Sequence, residues 1–281
     1  MKQRFGSVVP LCLLFAGLTV TGSVTAMAQD QNGQVTPPPK VLEVITEYVK
    51  PGQAGSPHEK SEGAFAQALR DAKWPTSYIG MNALTGRQRA VFFVGYDSFA
   101  AWGKDNADTA KNTTLAAAVD NATIADGTLL SDTQTSVYHY RDELSERPGA
   151  DVGHIRFFDI TVFKVRAGHE KDWDALVKMY KDASEKIPNV HWDTFEKMYG
   201  TESGNTFMVV TPIKSLDEVD EGMANDKKMR DAVGEAQMQK MMELGGATIE
   251  SSESILLAVN PKMSYANDAW TKEDPDFWNQ R

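Results

Sequence analysis

The chain writes one phrase twice. KWPTSYIG begins at Lys73 and HWDTFEKMYG at His191; Trp74 and Trp192 stand 118 residues apart, and each opens a short aromatic run that ends at a glycine. Further segments repeat at nearly the same offset. VITEYVKPGQ (44–53) matches ITVFKVRAGH (160–169), and AVFFVGYDSFAAW (90–102) matches FMVVTPIKSLDEV (207–219). SVYHY (136–140) matches SILLA (254–258). A period that barely drifts over four segments means two copies of one structural unit. The first, third and fourth segments alternate like strands. Helical spacing follows the first segment in each half, over 58–72 and 170–186, and a second helical region follows the third. Ser98 and Ser215 are expected N-caps of those second helices.

The copies do not start at the N-terminus. Lys2 and Arg4 precede an apolar run over 8–20, and TAMAQD supplies small residues at Ala26 and Ala28. This is the pattern of a secretory signal peptide over 1–28, cleaved after Ala28, and the run is short for a membrane span. Cys12, the only cysteine, lies within it, so the mature chain holds no disulfide, thiol nucleophile or thiolate metal site. Without Lys2 and Arg4 the mature chain keeps 27 of its 29 basic residues against 39 acidic ones, a net charge of −12. That charge argues against nucleic-acid and anionic membrane partners. A periplasmic or extracellular location is expected. Residues 29–40 end in three prolines and read as a disordered linker.

Each half reads strand, helix, strand, strand, helix, strand, the order of a split βαβ unit. On that order and the repeat, the chain resembles the dimeric α+β barrel superfamily, with its antibiotic-biosynthesis-monooxygenase-like and NIPSNAP-like members, here as two units in tandem. The expected architecture is α+β: ferredoxin-like repeats over 41–145 and 152–263, with two four-stranded antiparallel sheets packed face to face as an intramolecular α+β barrel. An aromatic tail over 264–281, with Trp270, Phe277 and Trp278, is expected to dock on the barrel or on a second subunit.

Strand alternation sorts the first strands into two faces. Leu42, Val44, Thr46 and Tyr48, matched by Phe158, Ile160, Val162 and Lys164, form the more apolar face, assigned to the helices. Glu43, Ile45 and Glu47, matched by Asp159, Thr161 and Phe163, are then expected in the space between the sheets. Glu43, Glu47 and Asp159 are thus candidate polar anchors or raised-pKa bases, with His139 or His191 beside them. Trp74, Tyr78 and Trp192 are candidates for an apolar ligand pocket, against the plainer reading that they pack the core.

No other motif carries chemistry. The five histidines show no ligand spacing, so no metal site is expected. Haem, which some members of the superfamily bind, is a minor expectation, and no cofactor is the main one. Met238, Met241 and Met242 read as a buried helix stripe. Two functions remain. One is a secreted protein that binds a small apolar or aromatic ligand between the sheets, or serves as an interaction module, with a homodimer as an expected assembly. The other is a cofactor-free or haem-linked monooxygenase of the barrel type.

Overall fold

A computed structural model describes residues 35–280 except Lys186, Pro188 and Ser203. The expected leader over 1–28 and residues 29–34 of the expected linker lie outside the described residues. The first half runs β1 (Val41–Val49), α1 (Ser56–Ala72), β2 (Tyr78–Ala83), β3 (Arg89–Tyr96), α2 (Phe99–Lys111), α3 (Thr113–Gly127) and β4 (Leu130–Tyr140). The second runs β5 (Phe157–Val165), α4 (Glu170–Ser184), β6 (Asp193–Tyr199), β7 (Thr206–Ile213), α5 (Asp217–Val233), α6 (Glu235–Thr248) and β8 (Ile249–Val259), followed by the short α7 (Asp268–Glu273) and α8 (Pro275–Trp278).

The strands form one closed antiparallel barrel in the order β1-β3-β2-β8-β5-β7-β6-β4. Each half supplies four neighbouring strands, β4-β1-β3-β2 and β8-β5-β7-β6. The expected α+β barrel is present, its two sheets facing each other across one interior. The sheets join edge to edge, with Met81 opposite Val259 where β2 meets β8 and Tyr138 opposite Lys197 where β4 meets β6. Closure leaves neither sheet an unpaired edge.

Closure also inverts the expected faces. Leu42 and Val44 of β1, Ile79 and Met81 of β2, Phe158 and Ile160 of β5, and Met208 and Val210 of β7 share one buried cluster, the bore of the barrel. The more apolar strand face points inward because a polar group buried in that cluster would lose its hydration without a partner. The mixed face lies outward under the helices, where Phe163 packs with Trp173, Val177 and Phe207. The Trp phrases build different corners. Trp192 directly precedes β6 and is buried, its indole N–H donating to the Leu144 carbonyl at 2.8 Å. Trp74 lies four residues ahead of β2 and is half-buried.

Local signals hold at some ends and fail at others. The Ser98 hydroxyl accepts from the Ala101 N–H at 3.1 Å and caps α2. Ser215 does not cap α5, which starts at Asp217 with no side-chain cap. Met241 is buried in α6 and Met238 packs against the core, whereas Met242 is exposed. Among the described residues, no helix is long and apolar enough to cross a membrane.

Both ends of the described segment lie on the barrel. Thr36, in the segment read as a linker, pairs with Ala150 by reciprocal backbone hydrogen bonds of 2.8 and 3.0 Å. A Cβ on Gly95 would stand 2.9 Å from Pro39, so the proline run rests on a strand that is bare at that point. In the C-terminal tail Trp278 joins the bore cluster and its indole N–H donates to the Gly153 carbonyl at 2.9 Å. Phe277 carries the Arg156 guanidinium on its ring at 3.7 Å, and Arg156 also pairs with Asp274. Trp278→Ala removes a buried ring and a hydrogen bond, so it should cost about 3–5 kcal/mol. Urea unfolding followed by far-UV circular dichroism measures that loss.

Candidate functional site

Phe93 lines two cavities of the bore. The smaller, about 380 Å³, carries Arg89, Lys164 and Lys197 with Glu202 and Glu253 on its wall. Arg89 bonds Glu253 at 2.7 Å. Lys197 is pushed below its ordinary pKa by burial and by the charge of Lys164. The larger cavity, about 730 Å³, lies at the end covered by the proline run and Trp270. Its inner wall is apolar: Leu42, Ile79, Phe93, Phe158, Phe195 and Val210. Its rim is acidic, with Asp97, Asp105 and Asp108 against Lys104.

One carboxylate belongs to that apolar wall. On β6 the alternation that turns Phe195 into the bore turns Asp193 the same way. Asp193 is buried, and its Oδ1 accepts from the Gly149 N–H at 3.2 Å. Burial raises its pKa from 3.8 to about 6, against the lowering effects of that hydrogen bond and of His191. At the rim, Asp105 is held by three donors: the Trp74 indole N–H at 3.0 Å, the Thr76 hydroxyl at 2.6 Å and the Tyr96 hydroxyl at 3.3 Å. The arrangement is an apolar chamber with one proton-accepting group inside and fixed negative charge at its mouth.

The residues singled out in the sequence are scattered by the fold. Of them, Trp74 reaches the larger cavity. Glu43, Glu47 and Asp159 lie on the outward strand face, away from the bore, and burial raises the pKa of Glu43 and takes that of Asp159 to about 6. The correction follows from barrel closure, which gives the bore to the opposite face. Tyr78 is buried beneath α1 with Ala66 and Phe92, and Trp192 is buried in the helix layer of the second half. His139 is exposed on β4. His191 is half-buried, and its Nε2–H donates to the Pro212 carbonyl at 3.0 Å. Neither histidine has Glu43 or Asp159 as a hydrogen-bond or ion-pair partner among the described residues. Asp193 went unselected in the sequence although it sits inside the repeated phrase. Its signal was the alternation Asp193, Phe195, Lys197, once the first strands are read with their apolar face inward.

No protein-family model matches the chain, and no curated protein matches it. Solved structures do. A putative monooxygenase from Fusobacterium nucleatum superposes with a TM-score of 0.51 at 10% identity, over 79% of this chain and 93% of that one. The likeness is one of fold. A putative monooxygenase from Lactobacillus acidophilus gives 0.48 at 8% identity, over 78% and 93% of the two chains. A NIPSNAP family protein from Agrobacterium tumefaciens gives 0.28 at 14% identity, over 37% and 88%.

Haem does not fit the larger cavity of this barrel. Its lining includes no histidine, cysteine or methionine, and its one phenol, Tyr96, is bonded to Asp105.

The raised pKa of Asp193 has a consequence for stability. Between about 4 and 6 the folded chain holds a proton there that the unfolded chain has released. The contribution of this group is therefore greatest below the unfolded value and declines as pH rises through about 6; Asp159 acts in the same sense. Asp193→Asn should flatten part of that decline, as measured by urea unfolding at intervals from pH 4 to 7.

Proposed function

We propose that the chain binds a small apolar or aromatic molecule in the larger cavity, with Asp193 as its polar anchor. The observation that carries this reading is a buried carboxylate held by the Gly149 N–H in an otherwise aromatic and aliphatic wall. Such a chamber, apolar with a single convergent polar group, is the usual form of a small-molecule site. The acidic rim favours neutral or cationic ligands over anions. We read the barrel as two ferredoxin-like units in tandem, and the leader as sending the mature chain to the periplasm or beyond.

A neutral fluorescent aromatic, N-phenyl-1-naphthylamine, probes the site. Val210→Trp, which fills the inner wall, should weaken its binding at least about tenfold, the loss expected when a well-packed pocket is overfilled. Equal binding by Val210→Trp would remove the cavity reading. A ligand that donates a hydrogen bond to Asp193 should bind Asp193→Asn about tenfold more weakly.

Asp193 also supports a second reading, a cofactor-free oxygenase. A carboxylate with a pKa of about 6 is ionised at neutral pH yet basic enough to take a proton from an acidified aromatic C–H or O–H. Oxygen consumption with enolisable aromatic ketones separates turnover from binding. For an oxygenase the rate rises with pH through about 6 and falls at least about 100-fold in Asp193→Asn.

A further inference from the structure

A buried polar cluster lies outside the barrel, between its wall and the helices of the first half. Glu47 extends from β1, His58 and Glu62 from successive turns of α1, and Asp126 from the last turn of α3. The Nε2 of His58 stands 3.1 Å from Glu47 Oε2, 3.6 Å from Asp126 Oδ1 and 3.8 Å from Glu62 Oε1. One donor atom from each of the four lies within 4.8 Å of all the others. His58, Glu62 and Asp126 are 1%, 4% and 2% exposed, and Glu47 is half-buried.

Three carboxylates in so dry a place need a compensating positive charge or protons. Among the described residues no lysine or arginine forms an ion pair with any of them; His58 is their shared partner. Two oxygens aimed into the cluster, Glu62 Oε1 and Asp126 Oδ1, have no hydrogen-bond partner, and the buried Tyr78 hydroxyl has none either.

The second half shows that the fold does not require this cluster. The residue that matches Glu47 on β5 is Phe163, whose ring packs 5.2 Å from that of Trp173 on α4, with Val177 in the same layer. One unit fills the space between first strand and first helix with apolar side chains, and the other fills it with four potential ligands.

We propose that Glu47, His58, Glu62 and Asp126 form a binding site for a divalent transition-metal ion of the zinc or manganese class. An ion bonded to each donor at about 2.0–2.2 Å holds its ligand atoms about 3–4 Å apart, close to the spacing already present. One imidazole with three carboxylates suits these ions better than calcium, which takes six to eight oxygens, or soft copper(I), which takes sulfur. Four protein ligands in a closed, buried setting describe a structural site, not a catalytic one. The ion ties α1 and α3 to β1.

The full chain, stripped with a chelator and dialysed, is titrated with Zn²⁺ and with Mn²⁺. One of these ions should bind at one equivalent per chain, by calorimetry and elemental analysis, and raise Tm by about 5–10 °C at a hundredfold excess over Kd. Co²⁺ should give a visible absorption spectrum that His58→Ala abolishes. Asp126→Asn and Glu62→Gln keep the shape of each side chain and should weaken binding at least about 100-fold. Glu43→Gln, on the same strand face but outside the cluster, should bind like the wild type. Absence of stoichiometric uptake overturns the proposal. So does uptake that survives Asp126→Asn and Glu62→Gln. A rise in metal-free stability in those two variants, with no metal effect on the wild type, identifies a protonated carboxyl network in place of the site.

Discussion

Barrel closure is the constraint on which the rest of this structure depends. A four-stranded sheet with helices on one face has two open edges and one bare face. Joining β2 to β8 and β4 to β6 satisfies both edges of both sheets and turns the bare faces into a shared interior. Every strand then has a bore side and a helix side, and the choice of residue for each follows from the water available there. The bore takes Leu42, Val44, Phe158 and Ile160 into its buried cluster, while its charged side chains, Arg89, Lys164 and Lys197, gather at the smaller cavity. The helix side tolerates Glu43, Glu47 and Asp159 because helices can bring polar partners or solvent to them.

The same constraint gives Asp193 its character. It is the buried acid on an inner wall otherwise made of aromatic and aliphatic side chains, and its environment shifts its proton affinity toward neutrality. Segments flanking the two repeats complete the chamber. The proline run and Trp270 line it, and Trp278 reaches into the bore cluster beside it. Residues that look peripheral in the order of the chain thus determine the shape and access of the cavity.

The two halves share a framework and differ in what they place between strand and helix. Phe163, Trp173 and Phe207 stack in the second half, and Glu47, His58, Glu62 and Asp126 meet in the first. Duplication provides an internal comparison: where one copy holds apolar packing and the other a costly polar set, the polar set demands a compensating proton or cation.

The sequence by itself determined the class of fold. The repeat, the strand alternation and the helix periodicity are local patterns, and they carried the α+β barrel resemblance and the order of the elements. It did not determine which strand face lines the interior, because an alternating strand reads the same whether its apolar side meets a helix or a closed bore. That choice misplaced Glu43, Glu47 and Asp159 and left Asp193 unselected. The two Trp phrases read alike, yet Trp192 adjoins β6 while Trp74 lies four residues ahead of β2, so one ring is core and the other lines a cavity. Only the tertiary structure brought His58 and Glu62 to Asp126, which lies 64 residues beyond Glu62. No local spacing encodes that meeting; it exists because α1 packs against α3, with His58 reaching both Asp126 and Glu47 of β1.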